Sequence, residues 1–185
     1  MESKNLFIRE TTFDDCKYFA EWETQEVVTE FFTIDDDRNY EDIVTEFVKD
    51  STDNTKINFT ITKKPENKPI GRIVITNIND HYDSLDITRI YIADPENRRK
   101  GYGEEALRMI IEYSFINLHR ERITLDHFTG NTPAANLYQK LGFKYEGVMR
   151  NAGKKNGKYI DTVKKAVLDV FDLEIDENKL FENMF

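Results

Sequence analysis

Residues 85–103 read Leu85-Asp86-Ile87-Thr88-Arg89-Ile90-Tyr91-Ile92-Ala93, then Asp94-Pro95, then Glu96-Asn97-Arg98-Arg99-Lys100-Gly101-Tyr102-Gly103. The first nine predict a β-strand that ends before Asp94-Pro95, where proline withdraws a ladder donor. From Gly103 onward Leu107, Ile110, Ile111, Ser114 and Leu118 recur at helical spacing, predicting a helix of about four turns laid on the sheet. The segment between is a basic, glycine-bearing loop that opens a helix. Gly101 and Gly103 let the backbone approach a ligand and turn its N–H groups outward. The helix N-terminus adds partial positive charge, and Arg98, Arg99 and Lys100 add full charges. That chemistry suits a pyrophosphate.

Working outward, Leu6-Phe7-Ile8-Arg9 reads as a strand, and Thr11-Thr12 with Asp14-Asp15 supplies oxygens to cap a first helix. Tyr40, Ile43, Val44, Phe47 and Val48 mark a second helix, between the acidic turn Asp35-Asp36-Asp37 and the polar stretch Asp50 to Thr55. The period then changes to two: Ile57, Phe59 and Ile61, a turn from Pro65 to Pro69, then Ile73-Val74-Ile75, a predicted hairpin. Past the long helix, Arg122 to Phe128 predicts a strand, and Thr132 to Leu141 a short helix stopped by Gly142. Phe143 to Arg150 is a further strand, and Asn156-Gly157 signals a hairpin into a last strand from about Tyr159 to Leu173. The expectation is an α/β chain with one domain over residues 1–173 and a tail or short helix over 174–185.

Composition narrows the function. The 185 residues suit one domain, and 39% hydrophobic content is enough to build its core. A net charge of -9 argues against general nucleic-acid binding and reflects either solubility alone or a preference for cationic partners. No apolar run reaches the roughly 20 residues of a membrane span, and the first residues lack the regions of a signal peptide, so no membrane and a cytoplasmic setting are expected. Cys16 has no partner for a disulfide and reads as a small buried hydrophobe. His81, His119 and His127 are outside any ligand spacing, so no metal is expected.

The glycines also satisfy a loose dinucleotide fingerprint, Gly101-x-Gly103-x-x-Ala106, with Asp126 near the position of a ribose-binding acid. Against an oxidoreductase stands the insertion of Asp94 to Lys100 before the first glycine. Arg98-x-x-Gly101-x-Gly103, however, resembles the acetyl-CoA signature of the GNAT acetyltransferases. Asn131-x-x-Ala134-x-x-Leu137-Tyr138-x-x-Leu141-Gly142-Phe143 resembles the second landmark of that family, and Glu146-Gly147 with Asn156-Gly157-Lys158-Tyr159-x-Asp161 resembles its branch of ribosomal-protein N-terminal and spermidine acetyltransferases.

The resemblance implies a mixed, mostly antiparallel sheet of about seven strands with about four helices, splayed at the acetyl-CoA site. It implies acetyl-CoA as co-substrate, with Ile90, Tyr91 and Ile92 lending backbone groups to pantetheine. The loop Arg98, Arg99, Lys100, Gly101, Tyr102 and Gly103 would hold the pyrophosphate, with Asn131 and Asn136 seating the rest. Tyr138 would protonate the departing thiolate, Asp86 would be the general base, and a backbone N–H near Ile92 would polarise the thioester. The acceptor would be an amine, either a polycationic small molecule or a protein N-terminus, and pairing into a homodimer is among the states the family uses. A non-catalytic acetyl-CoA sensor on the same fold is the alternative of another class.

Overall fold

The computed structural model describes residues 1–34 and 36–168. All seven strands join one sheet in the order β1-β2-β3-β4-β5-β7-β6. They are β1 (Leu6–Glu10), β2 (Ile57–Lys63), β3 (Lys68–Asn79), β4 (Ser84–Ile92), β5 (Arg122–Phe128), β6 (Lys144–Lys155) and β7 (Lys158–Val167). Every pairing is antiparallel except β4 with β5. Among the described residues five α-helices surround the sheet: α1 (Cys16–Trp22), α2 (Glu26–Thr29), α3 (Tyr40–Ser51), α4 (Tyr102–Ile116) and α5 (Thr132–Lys140). The fifth, α2, is a single turn with no readable period. β6 runs five residues past its predicted end at Arg150, because the Asn156-Gly157 turn, with φ of 49° and 77°, keeps the two strands paired up to Lys155 and Lys158. β7 stops at Val167, and Leu168 is outside the strand. The rest of the predicted last strand, the tail over 174–185, and Asp35 of the acidic turn lie outside the described residues.

The sheet divides two apolar layers. On one face α4 buries Ala106, Leu107, Ile110 and Ile111 against Ile8, Ile61, Ile73, Ile75, Leu85 and Ile87, each large side chain contributing about 1.5–3 kcal/mol relative to exposure. On the other, α1 and α3 pack Cys16, Phe19, Trp22 and Ile43 with Tyr91 and Ala93. Cys16 is fully buried, and burial pushes its thiol up, so it is a hydrophobe as the sequence suggested.

Two irregularities in β4 make the site. Its register with β3 shifts between Arg89 and Ile87, so Thr88 is a bulge. The bulge exchanges the faces: Leu85 and Ile87 face α4 before it, whereas Ile90 and Ile92 do so after it. Second, β4 pairs with β5 only over Ser84–Ile87 and Arg122–Leu125. Beyond that the two parallel strands separate, and the far half of β4 has a free edge.

The acidic and basic side chains around α1 and α3 form a buried network. Arg72 on β3, 1% exposed, donates to Glu23 at 2.8 Å, Glu46 at 2.7 Å and Asn58 at 2.8 Å, and lies 4.4 Å over the Phe19 ring. Arg89 and Arg38 also reach both glutamates, and the Tyr91 hydroxyl donates to Glu23 at 3.0 Å. Burial opposes the charge of Glu46, but Arg89, Arg72 and Arg38 outweigh it and hold the carboxyl at about 2. Its folded value lies below its ordinary 4.5, so its stabilisation is complete above about pH 4.5 and is lost as pH falls toward 2. Urea melts at pH 4.5 and 3 should show this loss, and Glu46→Gln should have a shallower pH slope over the same interval. Equal slopes would remove Glu46 from the acid response.

Candidate active site

The divergence of β4 and β5 opens a cleft of about 550 Å³. It brings together Ile90, Tyr91 and Ile92 of β4, Arg98 and Arg99 of the loop, Gly103 in the first turn of α4, Asn131 at the N-cap of α5 and Tyr138 within it. Lys100, Gly101, Tyr102, Asn136 and Asp86 do not line it. Gly101 acts indirectly: at φ +84° it is the N-cap of α4, and it provides no side-chain cap. The N–H groups of the first turn of α4 are therefore left for an outside acceptor. Gly103 lines the cleft. A Cβ there would meet only Ile92 Cγ1, at 3.9 Å, so the fold itself tolerates a side chain. Gly103→Val is expected to melt within a few degrees of wild type and to lose acetyl-CoA affinity about tenfold or more by calorimetry. Unchanged affinity would refute this role of the α4 turn.

Arg98 is placed differently from expectation. Its Nε donates to Ile92 O at 2.9 Å and its terminal nitrogens to Val27 O at 3.0 Å and Ala93 O at 3.2 Å. The guanidinium is a strut joining the end of β4 to α2, and burial lowers its pKa. Arg99 and Lys100 remain exposed. Tyr102 leans away from the cleft, with the Lys63 ammonium 5.9 Å from its ring. Asn131 caps α5, accepting from Ala134 N–H at 3.2 Å, and Asn136 is exposed.

The free edge of β4 can be assigned. Ala93 N–H donates to Ile70 O at 2.8 Å, across the β3 side. Successive strand residues direct their amides to opposite edges, so Ile92 N–H points to the open one. Ile92 O, bonded by Arg98, lies on the same side.

Tyr138 is 8% exposed, flanked by the rings of His127 at 5.8 Å and Phe143 at 6.0 Å. Burial, with a smaller contribution from Asp126, pushes its phenol up to about 12, so it holds its proton at neutral pH. Asp86 is elsewhere, in the paired part of β4. It accepts from Asn77 at 2.8 Å and from Thr124, and it meets Lys164 at 3.3 Å. These partners hold its oxygens outside the cleft.

The sequence reading missed three parts of the wall. Val27, Val28, Phe31 and Phe32 of and after α2 close one side, and Ala152, Gly153 and Thr162 of β6 and β7 close another. His127 is the third. It was legible, since Ile123, Leu125 and His127 alternate onto the buried face of β5.

The sequence pattern of the acetyltransferase (GNAT) domain matches residues 5–144. The chain is similar to the uncharacterized N-acetyltransferase YoaA of Bacillus subtilis, 25% identical over 165 residues, covering 88% of this chain and 92% of that protein. It is also similar to spermidine N(1)-acetyltransferase of Vibrio cholerae, 30% identical over 116 residues, 63% of this chain and 65% of that one. The crystal structure of V. cholerae spermidine N-acetyltransferase with CoA and spermine superposes with a TM-score of 0.81, at 22% identity, covering 90% of this chain and 96% of that one, a likeness of fold. The mixed sheet, with its single parallel pair, rules out the doubly wound dinucleotide fold. The chain belongs to the GNAT acetyltransferase family and is an N-acetyltransferase that draws its acetyl group from acetyl-CoA.

Proposed function

We propose that the chain transfers this acetyl group directly to a primary amine of a small cationic, polyamine-like molecule. The observation that carries the acceptor class is the pair Asp37 and Asp42 in a polar groove of about 890 Å³ that shares Thr33 and Thr88 with the cleft. Asp37, Asp42, Glu46 and Asp50 line the groove together with Arg38, Arg89, Lys49 and Lys56. Lys56 is paired with Asp50 and the arginines with Glu46. Asp37 and Asp42 have no ion pair among the described residues, and Lys49 is the remaining cation of the groove. A cationic chain lying there would present its terminal amine at the bulge. The net charge of -9 steers the same class of molecule, and the names of the V. cholerae relatives agree with it.

Acetyl-CoA supplies an activated thioester when bound. The first turn of α4 and Arg99 receive its pyrophosphate, and the β4 edge receives the arm that carries the acetyl group. Ile92 N–H, fixed by the ladder on its other side, offers a donor where the carbonyl oxygen gains charge. Tyr138 gives its proton to the leaving sulfur. The test of acceptor class compares kcat/KM for spermidine and spermine with that for aminoglycosides, single amino acids and peptides with free N-termini. Polyamines are expected to lead by about tenfold or more, as differential transition-state binding requires. Preference for peptides would move the assignment to protein N-termini.

A further inference from the structure

His127 lies in the wall of the cleft beside Tyr138, 8% exposed. Its Nδ1 is 3.0 Å from Phe128 O. A carbonyl only accepts, so Nδ1 carries the proton, and in the neutral ring Nε2 is then a bare lone pair. Nε2 is also buried without a hydrogen-bond partner. A buried acceptor left unsatisfied costs about 1–3 kcal/mol, which a wall of leucine or valine would avoid. The strand alternation calls for an apolar residue here, and the position holds an imidazole of fixed tautomer.

We propose that His127 Nε2 is the proton acceptor of the transfer and returns that proton to Tyr138, an assignment that rests on the acetyl transfer described above. The amine, as free base, forms the C–N bond with its lone pair, and the proton it sheds passes to Nε2. The C–S bond breaks with its electron pair on sulfur, which takes the Tyr138 proton. The imidazolium then reprotonates the phenolate. Amine and thioester become amide and thiol, and both side chains end as they began. The return step also answers an energetic difficulty: a phenol near 12 is a weaker acid than a thiol of about 8.5, so it does not protonate a thiolate downhill alone, and a second group that restores the phenol's proton draws the transfer on. The ring spacing of 5.8 Å puts the two groups on one flank of the cleft. The other charged or titratable groups that line the same cleft are Asp126 on its own strand, Tyr91 of β4, and Arg98 and Arg99 of the loop.

The test has two arms. Nitrogen NMR of the three histidines in the whole chain, with His127→Gln to assign the signal, reads the tautomer without any turnover. The expected form is Nδ1–H with bare Nε2, and an Nε2–H tautomer overturns the proposal. In the kinetic arm, His127→Gln is expected to lower kcat about 100-fold with the acetyl-CoA Kd within about threefold. Imidazole should restore part of the turnover of His127→Ala. A kcat within threefold of wild type, or a loss that imidazole does not restore and that follows cofactor affinity, reduces His127 to packing. Wild-type chain that turns over no amine at all would count against the proposed function, while the tautomer still decides for or against the bare Nε2 on which His127 depends.

Discussion

Tyr138→Phe is expected to lower kcat by about 10²–10³-fold while acetyl-CoA binds within about threefold of wild type. The substitution deletes one oxygen and keeps the ring that closes the α5 face against His127 and Phe143. It therefore separates proton donation from packing. The hydroxyl is the only group removed, and burial keeps it protonated across the working range, with its pKa near 12. Loss of a positioned acid leaves the sulfur to depart as a free thiolate or to find water, which is why turnover and not affinity should change. Full activity in the phenylalanine variant would take Tyr138 out of the mechanism.

Arg72→Met has the largest expected effect on stability, a loss of about 3–5 kcal/mol by urea denaturation. Burial works against the Arg72 charge, yet Glu23, Tyr91 and Glu46 raise its pKa overall. Removing it leaves Glu23, 1% exposed and with one carboxylate oxygen already lacking a hydrogen bond, in an apolar layer with fewer donors. The same guanidinium joins β3 to α1 and α3. Lysine at this position restores charge but not the fork, so it should recover only part of the loss. A cost below about 1 kcal/mol would show that the network is replaceable.

The order of elements was legible because it depends on local patterns: the alternation of Ile57, Phe59 and Ile61, the stripe from Leu107 to Ser114, and the paired positive-φ residues of Asn156-Gly157. The glycine-bearing, basic loop that opens α4 was legible for the same reason, since glycines and cations at a helix start act through nearby backbone. What escaped reading depends on contacts distant in sequence. The bulge at Thr88 shows only when β3 is laid against β4, and the partners that hold Asp86 outside the cleft, Asn77, Thr124 and Lys164, meet it only in the assembled sheet. Arg98 looks like a free charge until the carbonyls of Val27 and Ala93 are brought to it. The network of Arg72 with Glu23 and Glu46 spans three helices and strands, and no spacing announces it. His127 could have been found by following the alternation of β5, which places it beside Tyr138.

The most direct measurement mixes the whole chain with acetyl-CoA and spermidine, follows free thiol, and weighs the amine by mass spectrometry. Thiol release that requires the amine and matches acetylated product one for one is the predicted result. If acetyl-CoA raises the melting temperature, yet no primary amine in the panel releases thiol above the rate without amine, the assignment of direct acetyl transfer at this cleft is contradicted.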